Sequence, residues 1–191
     1  MSFAAVSSAQ VHLLKTNIIR VEVDLSKGLN AFSIVGLPDK AVQEAKDRIA
    51  AAIKNTGFKS PKQKNHKVVI SLAPADVKKE GTLFDLPMAV GYLIASKCLP
   101  ADVRNMLFIG ELSLDGAVQP VDGVLPIVRK AKQSGFGEVY VPEGNAKEAA
   151  LIDGIDVYGV RNLRDLSAHL AKKDILQDED RPFIQRKKLK P

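Results

Sequence analysis

The sequence predicts an α+β domain, a mixed sheet with helices, and three patterns carry that reading. Residues 17–26 alternate, with Ile19, Val21, Val23 and Leu25 on one side and Arg20, Glu22, Asp24 and Ser26 on the other. Such alternation marks a strand with one buried face. Residues 39–56 instead place Val42, Ala45, Ile49 and Ala52/Ile53 at three- and four-residue spacing, the stripe of an amphipathic helix. Asp115-Gly116 separates two apolar stretches, a strong two-residue hairpin signal. Strands followed by helices, with one hairpin between, predict a partly parallel sheet.

In chain order, Lys27-Gly28 turns the backbone and residues 31–36 form a second strand. In the helix that follows, Glu44 precedes Arg48 by four positions, the favourable order for a surface pair, and Gly57 supplies the stop. Residues 58–67 are a basic, polar loop. The continuous apolar run 68–72 predicts a central strand covered on both faces. It leads into the charged turn Lys78-Lys79-Glu80-Gly81. Residues 86–95 are apolar nearly all round, with Pro87 in the first turn, as expected of a buried internal helix. Strands 108–114 and 117–121 flank the hairpin turn. A helix over 125–134 stops at Gly135, and strand 139–141, a short helix 146–151, strand 157–160 and a helix to about Ala171 complete a domain over residues 1–171. Residues 172–191 have charge blocks and no periodicity, so they read as a linker or disordered tail.

Composition narrows the function classes. With no Trp and 5% aromatic residues, stacking platforms for single-stranded nucleic acid are scarce. The lone Cys98 excludes an intramolecular disulfide and, at the end of an apolar run, reads as a buried structural thiol. His12, His66 and His169 are widely separated, without the spacing of metal ligands, so no metal site is expected. The amino-terminal stretch has no basic region ahead of a sustained apolar one, unlike a signal peptide. No apolar segment approaches the ~20 residues of a membrane span, so a cytoplasmic location is the expectation. The net charge of +6 divides evenly, +3 over residues 1–171 and +3 in the tail.

Four blocks in register carry a family resemblance: FSIVGLPDKAVQEAKDRIAAAIKNTGF from Phe32, SLAPADVKKEGTLFDLPMAVGYLIAS from Ser71, FIGELSLDGAVQPVDGVLPIV from Phe108 and VPEGNAKEAAL from Val141. Together they resemble the amino-terminal, Lon-protease-like (ChlI-type) domain of the Mg-chelatase-related ComM/YifB AAA+ ATPases. The resemblance implies a fold shared with the proteolytic domain of Lon, with GHMP kinases and with the second domain of a small-subunit ribosomal protein. It also implies an AAA+ module after this domain, reached through residues 172–191, and ATP and Mg as cofactors of the full-length protein. A ring oligomer and ATP-driven work on DNA, including branch migration in natural transformation, are implied as well.

The same resemblance locates the Lon-type dyad positions. An alcohol needs a nearby amine to become a nucleophile, yet the run Lys79-Glu80-Gly81-Thr82-Leu83-Phe84-Asp85 places Leu83 at the nucleophile position, and Ile127 falls at the lysine position. Neither carries a usable heteroatom, so no catalytic residue is expected. Thr82, one position off, is a remote nucleophile candidate whose simpler role is a turn residue bonded locally to backbone. A phosphate-binding loop needs Gly-Lys-Ser/Thr, and none of the 13 glycines precedes a lysine. This chain alone is not expected to hydrolyse ATP.

Two clusters remain. Asp76, Lys78, Lys79, Glu80 and Asp85 surround Gly81, as a relic active-site loop reused for contact with the ATPase ring, a neighbouring subunit or a ligand; Asp85 reads most simply as the cap of the buried helix. Lys59, Lys62, Lys64 and Lys67, with His66, form the densest basic cluster of the body and could contact DNA phosphates with salt-sensitive, sequence-independent affinity. The reading is thus a noncatalytic regulatory or assembly domain of a DNA-remodelling AAA+ ATPase. The alternatives are a Lon-like serine peptidase and a magnesium chelatase subunit in porphyrin metallation.

Overall fold

The computed structural model describes residues 2–61 and 65–175. In order these form β1 (Ser2–His12), β2 (Lys15–Lys27), β3 (Ala31–Val35), α1 (Lys40–Asn55), β4 (His66–Ala73), α2 (Asp85–Ala95), β5 (Met106–Phe108) and β6 (Glu111–Leu112). There follow β7 (Val118–Gln119), α3 (Val124–Gln133), β8 (Glu138–Pro142), α4 (Ala146–Ala149), β9 (Asp156–Val160) and α5 (Leu163–Ile175). The main sheet runs β3-β4-β2-β1-β5-β8-β9, and β6-β7 is a separate ribbon. Only β2 is antiparallel to its neighbours in that sheet. The carboxyl ends of the other six strands therefore point the same way, and their following loops gather at one end. No helix of the described residues is long and apolar enough to cross a membrane.

Both faces of the sheet are used. Val6, Val23, Ile70, Phe108 and Tyr140 belong to the larger apolar cluster, which α1, α2 and α5 cover. Ala9, Leu107, Ile109, Val139 and Val141 belong to the second, closed by Val124, Ile127 and Val128 of α3 and Ala149 of α4. The stripe on α1 behaves as its spacing predicts: Val42, Ala45, Ile49, Ala52 and Ile53 are all buried. Each fully buried aliphatic chain of Val or Ile size is worth roughly 1.5–3 kcal/mol. α2 is buried almost all round and lies close on the sheet, because a Cβ at Gly91 would stand 2.8 Å from a Val23 methyl.

Several expectations need correction. β1 was not legible as a strand, since its core face carries Ser8 and Gln10 beside Ala4 and Val6. The strand expected over 108–114 divides at Gly110, whose N–H donates to the Leu83 carbonyl and whose carbonyl accepts from Leu86. Those bonds pull the chain out of the sheet between β5 and β6. β4 is covered on one face only: Val68, Ile70 and Leu72 are buried, while Val69 and Ser71 remain half-buried. Arg48 turns from Glu44 toward Asp85, and Glu44 pairs with Lys40 at 3.8 Å. Cys98 is half-buried. α5 continues to Ile175, past the expected helix end; the tail from residue 176 onward lies outside the described residues.

Candidate functional site

In sheets with parallel strands, sites form in the crevice beyond the carboxyl ends, and there the β4–α2 loop, residues 74–84, crosses between layers. Its shape is set by bonds to its main chain, from neighbouring peptide groups and from the Asp39 and Gln10 side chains. The Lys79 N–H donates to the Leu37 carbonyl (3.0 Å) and its carbonyl accepts from Asp39 (2.9 Å). The stretch after β3 also runs tight against β4, where Gly36, at φ 102°, has no side chain; a Cβ there would collide with the Leu72 carbonyl oxygen. Asp39 caps α1 through the Val42 amide (2.8 Å) and also accepts from the Gly81 amide (3.1 Å). From β1, Gln10 donates through Nε2 to the Lys78 carbonyl (2.5 Å) and accepts from the Glu80 amide (3.2 Å).

Within the loop the charged residues divide by burial. Lys78 and Glu80 are exposed and pair at 2.6 Å, with His12 3.7 Å from Glu80. Asp76 is exposed and Gly81 half-buried. Lys79 is wholly buried, its Nζ donating to the Pro74 carbonyl. Burial pushes its ammonium below the ordinary lysine range, with the charge of Asp76 opposing.

Asp85 corrects an expectation. α2 has no side-chain cap, and Phe84 occupies the capping position. The Asp85 carboxylate is instead gripped by Arg48, Nε at 2.7 Å and Nη2 at 3.0 Å, and accepts from the Leu112 amide at 3.2 Å. Arg48 also donates to the Ala41 carbonyl (3.1 Å). Burial pushes the carboxyl up, while both donors favour the anion, and the same bond raises the guanidinium. Two parallel charge-assisted bonds of this geometry make an ionic pair. It ties α1, α2 and β6 together beneath the loop.

Thr82 corrects another. Its hydroxyl does not bond locally to backbone but donates to the Glu111 carboxylate at 2.5 Å, across 29 positions of sequence. That is a proton donor beside an acceptor, whereas the one amine buried in the loop, Lys79, is engaged by Pro74. Leu83 is half-buried against both apolar clusters, and Ile127 is fully buried in the second of them.

The structure does not bring the basic cluster to this site. Lys67 lies near the start of β4, and the loop leaves its far end, roughly 20 Å away at strand rise. Lys59 and Lys67 are exposed and His66 is half-buried; Lys62 and Lys64 lie outside the described residues. Gln10, Asp39, Arg48, Glu111 and Leu112 were not read as site residues. Only Asp39 carried a local signal, an acidic residue just ahead of a periodic run.

Residues 21–145 match the family described as subunit ChlI of Mg-chelatase. Among curated relatives, an uncharacterised Mycobacterium bovis protein is 42% identical over 89% of this chain and 33% of its own length. The competence protein ComM of Haemophilus influenzae is 39% identical over 87% of this chain and 32% of its own. YifB of Escherichia coli is 39% identical over 83% and 31%. The chain thus spans about a third of the length of these relatives. A shorter match, 35% identical over 49% of the chain, is to Lon protease 2 of Bacillus subtilis, and the mixed, largely parallel sheet fits a Lon-like fold. With the match to the ChlI family covering well over half of its residues, this chain belongs to the Mg-chelatase ChlI-type family that includes ComM and YifB.

Proposed function

We propose that this chain is a noncatalytic regulatory and assembly module of a Mg-chelatase-like AAA+ ATPase that remodels DNA, as in branch migration during natural transformation. The observation that carries the reading is the packing of Leu83 and Ile127 against one apolar cluster, where a Lon-type peptidase would need a hydroxyl and an amine. The β4–α2 loop supports it too. Its main chain is tied to the Gln10 side chain of β1 and to Leu37 and Asp39 ahead of α1, and Thr82 reaches Glu111 of β6. These bonds hold a fixed surface, with Asp76, Lys78, Glu80 and Gly81 available to an ATPase ring or a neighbouring subunit. ATP and Mg belong, on this reading, to an AAA+ module of the same polypeptide, since this chain has no Gly-Lys-Ser/Thr with which to hold phosphates. Assembly into a ring and a cytoplasmic location follow from the same reading. Lys59, Lys62, Lys64 and Lys67 are the residues proposed to meet DNA phosphates.

The purified chain should turn over neither ATP nor casein nor a fluorogenic peptide. Peptide cleavage abolished by Thr82→Ala would instead establish the peptidase reading, with Glu111 as the proton acceptor. DNA binding by the same chain should weaken steeply with added salt, because phosphate contacts release counterions. An affinity that ignores salt would remove the lysines from the interface.

A further inference from the structure

The two edges of the main sheet differ in their protection. β9 begins with Asp156 and is flanked by Asp153 and Arg161, whereas no charged side chain occurs from Gly28 to Pro38, the stretch that contains β3. Leu29 and Leu37, just outside β3, are 92% and 56% exposed, and Val35 at its end is 46% exposed. Natural sheets usually guard an edge with charge, proline or a bulge. β3 has none of these within it.

The register says which main-chain groups that edge presents. At the end of the β2–β4 ladder the Gly28 N–H donates to the Asn65 carbonyl. Groups on a strand alternate in direction, so Lys67, Val69 and Ser71 turn theirs toward β2, and Val68, Ile70 and Leu72 turn theirs toward β3. β3 and β4 are parallel, with Phe32 beside Val68 and Ile34 beside Ile70. Val68 and Ile70 therefore bond to Ala31, Ser33 and Val35, and the N–H and C=O groups of Phe32 and Ile34 face outward. Gln43 agrees with this phase, reaching from α1 to donate to the Ile34 carbonyl at 3.2 Å.

We propose that β3 pairs with β3 of a second copy of this chain, antiparallel, about a two-fold axis through Ser33. The sequence is self-complementary about that residue. Phe32 of one copy meets Ile34 of the other as a hydrogen-bonded pair, Ser33 meets Ser33 as a non-hydrogen-bonded pair, and Ala31 meets Val35. The exposed Leu29 end of one copy comes beside the Leu37 end of its mate. Every cross-strand neighbour is apolar or a small hydroxyl, so no like charges oppose one another. The outward groups of Phe32 and Ile34 supply four N–H···O bonds, and the Ile34 carbonyl keeps a lone pair free beside Gln43. β9 offers no such match, since pairing β3 to β9 is heterologous and leaves an edge open for further growth. A two-fold pair closes on itself. Five-residue strands bury little area, so the pair is weak and concentration-dependent.

Two variants test it. Ser33→Cys, made with Cys98→Ala, should oxidise to a disulfide-linked dimer, because Cα atoms of a non-hydrogen-bonded antiparallel pair lie ~4.5 Å apart, within disulfide reach. Ser33→Lys places two ammonium groups across the axis on the uncovered face and should weaken the concentration-dependent dimer seen by sedimentation equilibrium at least tenfold. Its circular dichroism should stay unchanged. The inference is overturned if the wild-type chain stays monomeric at millimolar concentration and the Ser33→Cys variant does not cross-link, if Ser33→Lys leaves the dimer intact, or if growth is open-ended.

Discussion

Lys79 and Asp85 are both wholly buried charges near the start of α2, yet their surroundings differ. Asp85 has a two-pronged guanidinium and a main-chain amide. Among the described residues Lys79 has one carbonyl, and the opposing charge that acts on it, Asp76, is exposed. A buried ion with a matched partner fixes the position of what it joins, because losing either half strands the other. A buried ion without one is only a cost, and it persists here because the main chain of Lys79, bonded to Leu37 and Asp39, holds it in place.

The sharpest way to break the contrast is Arg48→Ala. It leaves Asp85 uncompensated and should lower the unfolding free energy by about 3–5 kcal/mol in urea titrations. Replacing both partners, Arg48→Met with Asp85→Leu, should restore most of that loss, since apolar packing often substitutes for a buried pair. A double variant no better than Arg48→Ala would mean the pair contributes more than mutual neutralisation.

Lys79→Met should act in the opposite direction, raising stability at neutral pH, because no ammonium is then taken out of water. Its pH dependence carries the sign. With its folded-state value below the ordinary 10.5, Lys79 binds fewer protons in the folded protein than in the unfolded chain across the interval between the two. Unfolding free energy therefore rises with pH in that interval. Wild type should gain on the variant as pH climbs toward 10.5, and parallel stability curves would show that the ammonium is solvated.

The smallest effect belongs to Tyr92, whose hydroxyl is buried without a hydrogen-bond partner among the described residues and whose phenol burial pushes up to about 12. Tyr92→Phe should leave stability unchanged or raise it by ~0.5 kcal/mol, because nothing is unpaired by removing that oxygen. A loss above ~1 kcal/mol on thermal unfolding would point to a partner such as a buried water.

How much of this was legible follows from the range of each interaction. The α1 stripe, the β2 alternation and the apolar α2 are patterns within single elements, and they lie where the spacing places them. β1 escaped because its inward positions include Ser8 and Gln10, and Gln10 is inward for the sake of the loop it clamps. The partners of Asp85 and Thr82 lie 37 and 29 positions away, beyond any local period. Asp85 looked like a cap because an acidic residue before an apolar helix is usually one. Only the fold of α1 against α2 brings Arg48 to it.

The clamp on Lys79 is made of peptide groups rather than side chains, which gives the loop an uncommon tolerance. Positions 76, 78 and 80 carry exposed side chains on a frame that does not depend on their identity, so a library randomised at those three sites should fold as the parent does. The same frame could then be selected for ligands it has never met.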